Sequence, residues 1–133
     1  MNISLGAVGL FVSDMEKMIG FYRDAVGLPI EWDGGIFTGV TLPNGVSLNF
    51  FPRAEFEKTS TVPLTYPNSA NGTFEMFFYV DSYSKVDELY DRLVSRGAVS
   101  VAPPGTAPWG QRSAFCADPD GNIIEIVSEN DDM

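Results

Sequence analysis

Apolar side chains alternate with small or aromatic ones over residues 7–12, which is the pattern of a strand. They then recur at three- and four-residue intervals (Met15, Met18, Ile19, Tyr22, Val26), which is the pattern of one face of a helix. Ser13 and Glu16 have the spacing of a capping box, and Gly27 stands where a helix closes through a left-handed residue. Strand-like segments follow at 28–33, 36–42 and 46–51. The same succession then returns. Residues 75–80 alternate, Val86, Leu89, Tyr90, Leu93 and Val94 keep helical spacing after Ser84, and Gly97 closes that helix. Strand-like segments at 98–101, 112–117 and 122–128 complete the second pass.

The two passes align residue against residue. Leu10-Phe11-Val12-Ser13-Asp14 matches Phe78-Tyr79-Val80-Asp81-Ser82, and Pro43-Asn44-Gly45 matches Pro119-Asp120-Gly121. Both triplets are hairpin turns leading into a last apolar strand, and two matches in the same order argue for an internal repeat. The reading is a single α+β domain of two βαβββ modules. Module one covers 1–51, a Pro-, Ser-, Thr- and Asn-rich linker 52–73, module two 74–128 and an acidic tail 129–133.

Side chains alternate across a strand, so parity sorts them into two faces. Val8, Leu10 and Val12 fall on one face of the first strand, as do Met76, Phe78 and Val80, then Val46, Leu48 and Phe50, and Ile124 and Ile126 in theirs. This purely apolar face is the one the helices should cover. The other face mixes Phe11, Phe51, Phe77 and Tyr79 with Asn49, Glu75 and Glu125. Such a mixture suits a concave, ligand-holding surface, although glutamate and asparagine are also ordinary on a solvated sheet face.

Charge and residue counts remove several classes of function. Eight basic against eighteen acidic residues give a net charge of −10, so nucleic acid is not an expected partner. An acidic surface suits a cationic ligand and equally suits plain solubility. There is no histidine, which excludes Ser-His-Asp and Cys-His chemistry and every imidazole-ligated metal site. The single cysteine, Cys116, has no partner for an internal disulfide and reads as a buried, inert thiol. No basic leader or long apolar run is visible, so no signal peptide or membrane span is expected and the cytoplasm is the default compartment.

Residues 8–14, Phe21-Tyr22-Arg23-Asp24 with Gly27-Leu28, Trp109-Gly110-Gln111-Arg112 and residues 118–125 together resemble the glyoxalase/bleomycin-resistance/extradiol-dioxygenase (vicinal oxygen chelate) superfamily. The resemblance spans both modules. It implies curved mixed sheets around a concave pocket with the helices outside, and it leaves function open among lyases, isomerases, dioxygenases, transferases and drug-binding proteins. In metal-dependent members four inward positions hold a divalent ion. The resemblance places Ala7, Asn49, Glu75 and Glu125 there, and only Glu125 keeps the usual identity. No cofactor is therefore expected, the alternative being a hard cation such as Mg²⁺ or Mn²⁺.

On this reading Glu75 and Glu125 converge. They either act as a general acid and base next to a carbonyl, as in a glyoxalase-like lyase or isomerase, or clamp a cationic group on a small molecule. The bland alternative pairs Glu75 with Arg53 or Arg112. Asn49, Phe11, Phe51, Phe77, Tyr79, Trp109 and Arg112 are the expected ligand contacts. Trp109 either closes over a ligand or plugs the core, and Trp32 belongs to a pocket rim or a dimer contact. The large aromatic content favours a homodimer.

Overall fold

The computed structural model describes residues 1–133, which divide into two compact units, Met1–Tyr66 and Pro67–Met133. The boundary lies inside the segment read as a linker. In the first unit, β1 (Ala7–Val12) leads to α1 (Met15–Gly20), which widens into a π-helical turn over Phe21–Val26. Then come β2 (Thr38–Thr41), β3 (Ser47–Pro52) and the short helix α2 (Arg53–Glu57). The strand order is β1-β3-β2, with β1 parallel and β2 antiparallel to β3. In the second unit, β4 (Asn71–Tyr79) leads to α3 (Tyr83–Ser95), β5 (Val99–Thr106), β6 (Arg112–Ala117) and β7 (Asn122–Ser128), in the order β4-β7-β6-β5. The α+β class and the repeated architecture thus match the reading of the sequence: β4, β7 and β6 repeat β1, β3 and β2 in position and direction.

In the first unit the core forms on the face that parity selects, while in the second β7 is buried on both faces. Leu10, Val12, Leu48 and Phe50 are buried with Met18, Ile19 and Tyr22 of the helical segment, and the Tyr22 and Phe50 rings lie 5.5 Å apart. In the second unit Met76, Ala114, Cys116, Ile124 and Ile126 are buried, as are Val86, Leu89 and Leu93 of α3. Gly27 closes its helix at φ 95° and Gly97 follows α3 at φ 110°, where a side chain would be strained. No helix is long and apolar enough to cross a membrane.

Five local expectations are corrected. Residues 28–33 pair with no strand, so the first sheet lacks a counterpart of β5. Pro29 removes a donor, and Ile30 N–H turns back to the Leu28 carbonyl at 2.8 Å. The cap of α1 is Asp14, not Ser13. Its carboxylate accepts from Lys17 N–H, which places Lys17 rather than Glu16 at the third helical position. Helix α3 begins at Tyr83, ahead of Ser84. The strand expected to end at residue 101 continues as β5 to Thr106, and Pro103 and Pro104 are tolerated because this is an edge strand with shifted register. Finally, the linker is organised: α2 opens it and β4 starts at Asn71.

The acidic tail also has a structural role. Tyr83 N–H bonds the Asn130 carbonyl, and the Asp132 carboxylate accepts from Ser84 N–H at 2.9 Å and from the Ser84 hydroxyl. A side chain distant in sequence thereby serves the first turn of α3. These bonds hold the Asp132 carboxyl below its ordinary range.

Candidate functional site

The parallel pairing of β4 and β7 puts Phe77 opposite Glu125 and Glu75 opposite Ile123, so both glutamates share one sheet face. The Glu75 carboxyl lies close enough to Glu125 to act on it electrostatically. Glu125 is only 6% exposed. Burial, then the hydrogen bond and charge of Glu75, push its carboxyl up to about 7. On the same face Phe77 and Tyr79 are exposed and stack at 6.5 Å, so a half-open aromatic surface adjoins the carboxylate pair. Sequence reasoning missed Phe115, which lies on β6 directly opposite Glu125. Antiparallel pairing across the Asp-Gly turn, combined with parity, was the signal that could have found it.

The first sheet places Asn49 at the position that Glu125 holds in the second. Asn49 lies between Gly9 of β1 and Gly39 of β2. The second of these glycines was also missed. A Cβ on Gly39 would come within 2.1 Å of the Asn49 side-chain oxygen, so the asparagine lies across the bare glycine backbone. Phe11 and Phe51 pair on neighbouring strands of the same face. Phe11 stacks at 4.2 Å on Phe56 of α2, and Arg53 donates from Nε to the Phe11 carbonyl while its guanidinium lies over Tyr66.

Two of the expected ligand contacts have other surroundings. Arg112 shares the helix-covered face of β6 with Ala114 and Cys116. Its guanidinium is bidentate to Asp87 of α3, both bonds 2.9 Å, with a third bond to Thr106, so it is turned away from Glu125 and is not the partner of Glu75. Trp109 is 78% exposed in a turn, with its ring N–H on Gln111, and it does not plug the core. Trp32 lines an open groove of about 400 Å³ with Glu31, Asp33, Phe37 and Thr38, and its ring N–H is bonded to the Gly35 carbonyl. Cys116 is fully buried and its thiol is pushed up to about 12 by burial and the charge of Asp118, as expected of an inert thiol.

The four positions to which the resemblance assigns a metal carry a donor set that does not fit one. Ala7 has no donor, Asn49 offers one amide, and only Glu75 and Glu125 are carboxylates. No three aspartate, glutamate or cysteine side chains are grouped closely enough to hold an ion.

Paired parallel-antiparallel sheets from a duplicated module define a glyoxalase-type fold. The sequence profile of the Glyoxalase/Bleomycin resistance protein/Dioxygenase superfamily matches residues 4–126, and the chain belongs to that superfamily. It is 30% identical over 122 residues to the uncharacterised protein YraH of Bacillus subtilis (strain 168), covering 90% of this chain and 93% of that protein. A glyoxalase-related enzyme from Fulvimarina pelagi superposes with a TM-score of 0.81 at 25% identity, over 93% of this chain and 86% of its own. Lactoylglutathione lyase from Agrobacterium tumefaciens superposes at 0.69 with 23% identity, over 96% and 94%, which is a likeness of fold.

Proposed function

We propose that this chain binds a small organic cation at the Glu75–Glu125 pair, with Phe77 and Tyr79 against the apolar part of the ligand, and that it does so without a resident metal. The observation that carries the reading is two carboxyl groups on one sheet face, one of them buried, beside exposed aromatic rings. Glu125 keeps its proton below about pH 7, and a cation placed against it favours release of that proton. The aromatic faces add cation–π attraction. The matching face of the first sheet, with Phe11, Phe51 and Asn49, is proposed to take apolar rings. Two copies of the chain are proposed to associate as a homodimer, with sedimentation at micromolar concentration as the check.

Calorimetric titration with benzyltrimethylammonium tests the main reading. Affinity should rise with pH through about 7 and fall at least tenfold in Glu125→Gln. Affinity unchanged by either overturns it. One equivalent of a transition metal per chain in the purified protein would sink the metal-independent part.

One observation favours a second reading. A carboxyl near 7 is matched to proton transfer at neutral pH, so Glu75 or Glu125 would act as general base in a lyase or isomerase. Exchange of deuterium into hydroxyacetone next to its carbonyl, lost in Glu125→Gln, would establish that reading.

A further inference from the structure

We infer that Phe56 is a built-in occupant of the aromatic-binding place on the first sheet and that it swings off Phe11 to admit a ligand ring. This rests on the proposal that the Phe11–Phe51–Asn49 face takes apolar rings. It does not depend on the carboxylate pair.

Three observations lead to it. The Phe11 and Phe56 rings are nearly parallel, 16° apart with centroids at 4.2 Å, so Phe56 sits where a ligand ring would stack and no third ring fits between them. Phe11 keeps 44% of its surface exposed even with this cover, which leaves the place open at one side. The segment that carries Phe56 is weakly held. Helix α2 has five residues, none buried, and its cap residue Pro52 makes no side-chain bond, so its own hydrogen bonds do not make it a stable element.

The second unit supplies the contrast. Tyr79 repeats the position of Phe11 and is 76% exposed, and the segment after β7 runs to the start of α3, where Asn130 and Asp132 bond Tyr83 and Ser84. The cover is therefore particular to the first unit and not a requirement of the repeated fold. Arg53 supplies the hinge side of the device. Its bond to the Phe11 carbonyl and its place over Tyr66 keep the base of α2 on β1 while Phe56, three residues on, moves.

The test uses the full chain and the neutral planar dye Nile red. Phe56→Ala should bind the dye roughly three- to tenfold more tightly than the wild type, the factor corresponding to one aromatic stack. Phe11→Ala in that background should cancel the gain. Phe56→Leu, which keeps apolar packing but no ring, should lie between and guards against a variant that fails to fold. In the unliganded wild type, amides 54–60 should exchange hydrogen far faster than those of β3. Equal or weaker dye binding by Phe56→Ala overturns the inference and makes Phe56 part of the ligand wall or irrelevant to it. Exchange as slow as that of β3 overturns it independently. Dye binding that both Phe56→Ala and the wild type share but Phe11→Ala does not alter overturns the underlying reading of the face itself.

Discussion

The two sheets place different chemistry at one repeated position. Asn49 on β3 and Glu125 on β7 occupy equivalent central-strand sites, but the flanking residues are Gly9 and Gly39 around the first and Phe77 and Phe115 around the second. Between glycines the polar side chain lies flat over open backbone. Between phenylalanines, and with Val127 and Ile123 buried beside it on its own strand, the carboxyl loses its water and, with Glu75 nearby, is pushed up to about 7. The backbone scaffold is the same, so the neighbours decide whether this site is a hydrogen-bonding amide or an acid that titrates near neutrality.

Glu125→Gln tests that difference most strongly. The Glu125 carboxyl is raised in the folded state, so the native protein prefers it protonated. Its contribution is fully present below about 4.5 and is lost as pH rises through about 7. Glutamine cannot ionise, so the variant should be more stable than the wild type at pH 8 by about 2 kcal/mol and close to it at pH 4, measured by thermal unfolding. Equal shifts at both pH values would place the effect in packing and not in ionisation.

Gly39→Ala comes next. The added methyl meets Asn49 and the Leu48 carbonyl, which should cost about 1–3 kcal/mol in denaturant unfolding. Asn49→Ala in the same chain should recover part of that loss, and a neutral Gly39→Ala would mean that the asparagine has another place to lie.

The helix caps sharpen the comparison on a smaller scale. Asp14→Ala removes a local cap and should cost about 1 kcal/mol. Asp132→Ala removes one supplied from across the second unit and should lower the melting temperature by a few degrees at most. The Asp132 carboxyl is held low, so its contribution is present at neutral pH and vanishes as acid protonates it. The deficit of Asp132→Ala should therefore shrink below pH 4.

The smallest effect is expected from Asn49→Glu. A glutamate between two glycines keeps its water and should titrate within about one unit of an ordinary carboxylate by NMR. A value as high as that of Glu125 would refute the role given to the phenylalanines.

What the sequence alone determined is what local pattern and pairing rules can carry. Period-two and period-3.6 spacing located β1, α1, α3 and the closing strands. The Asn-Gly and Asp-Gly turns exposed the repeat, and parity put Glu75 with Glu125 on one face and Leu10 with Val12 on the other. These depend on residues near one another in the chain. Tertiary structure decided the rest. Arg112 went to Asp87 because α3 covers its face of β6, and the strand-like residues 28–33 stayed unpaired. Asp132 reached the start of α3 because β7 ends beside it, and Phe56 settled on Phe11 through a helix hidden in a linker rich in loop-forming residues. Partners far apart in sequence leave no periodic trace, since which groups meet depends on how the folded backbone brings them together. The raised pKa of Glu125 is of this kind: the residue is legible in the sequence, but its ionisation depends on burial and on the Glu75 carboxyl beside it.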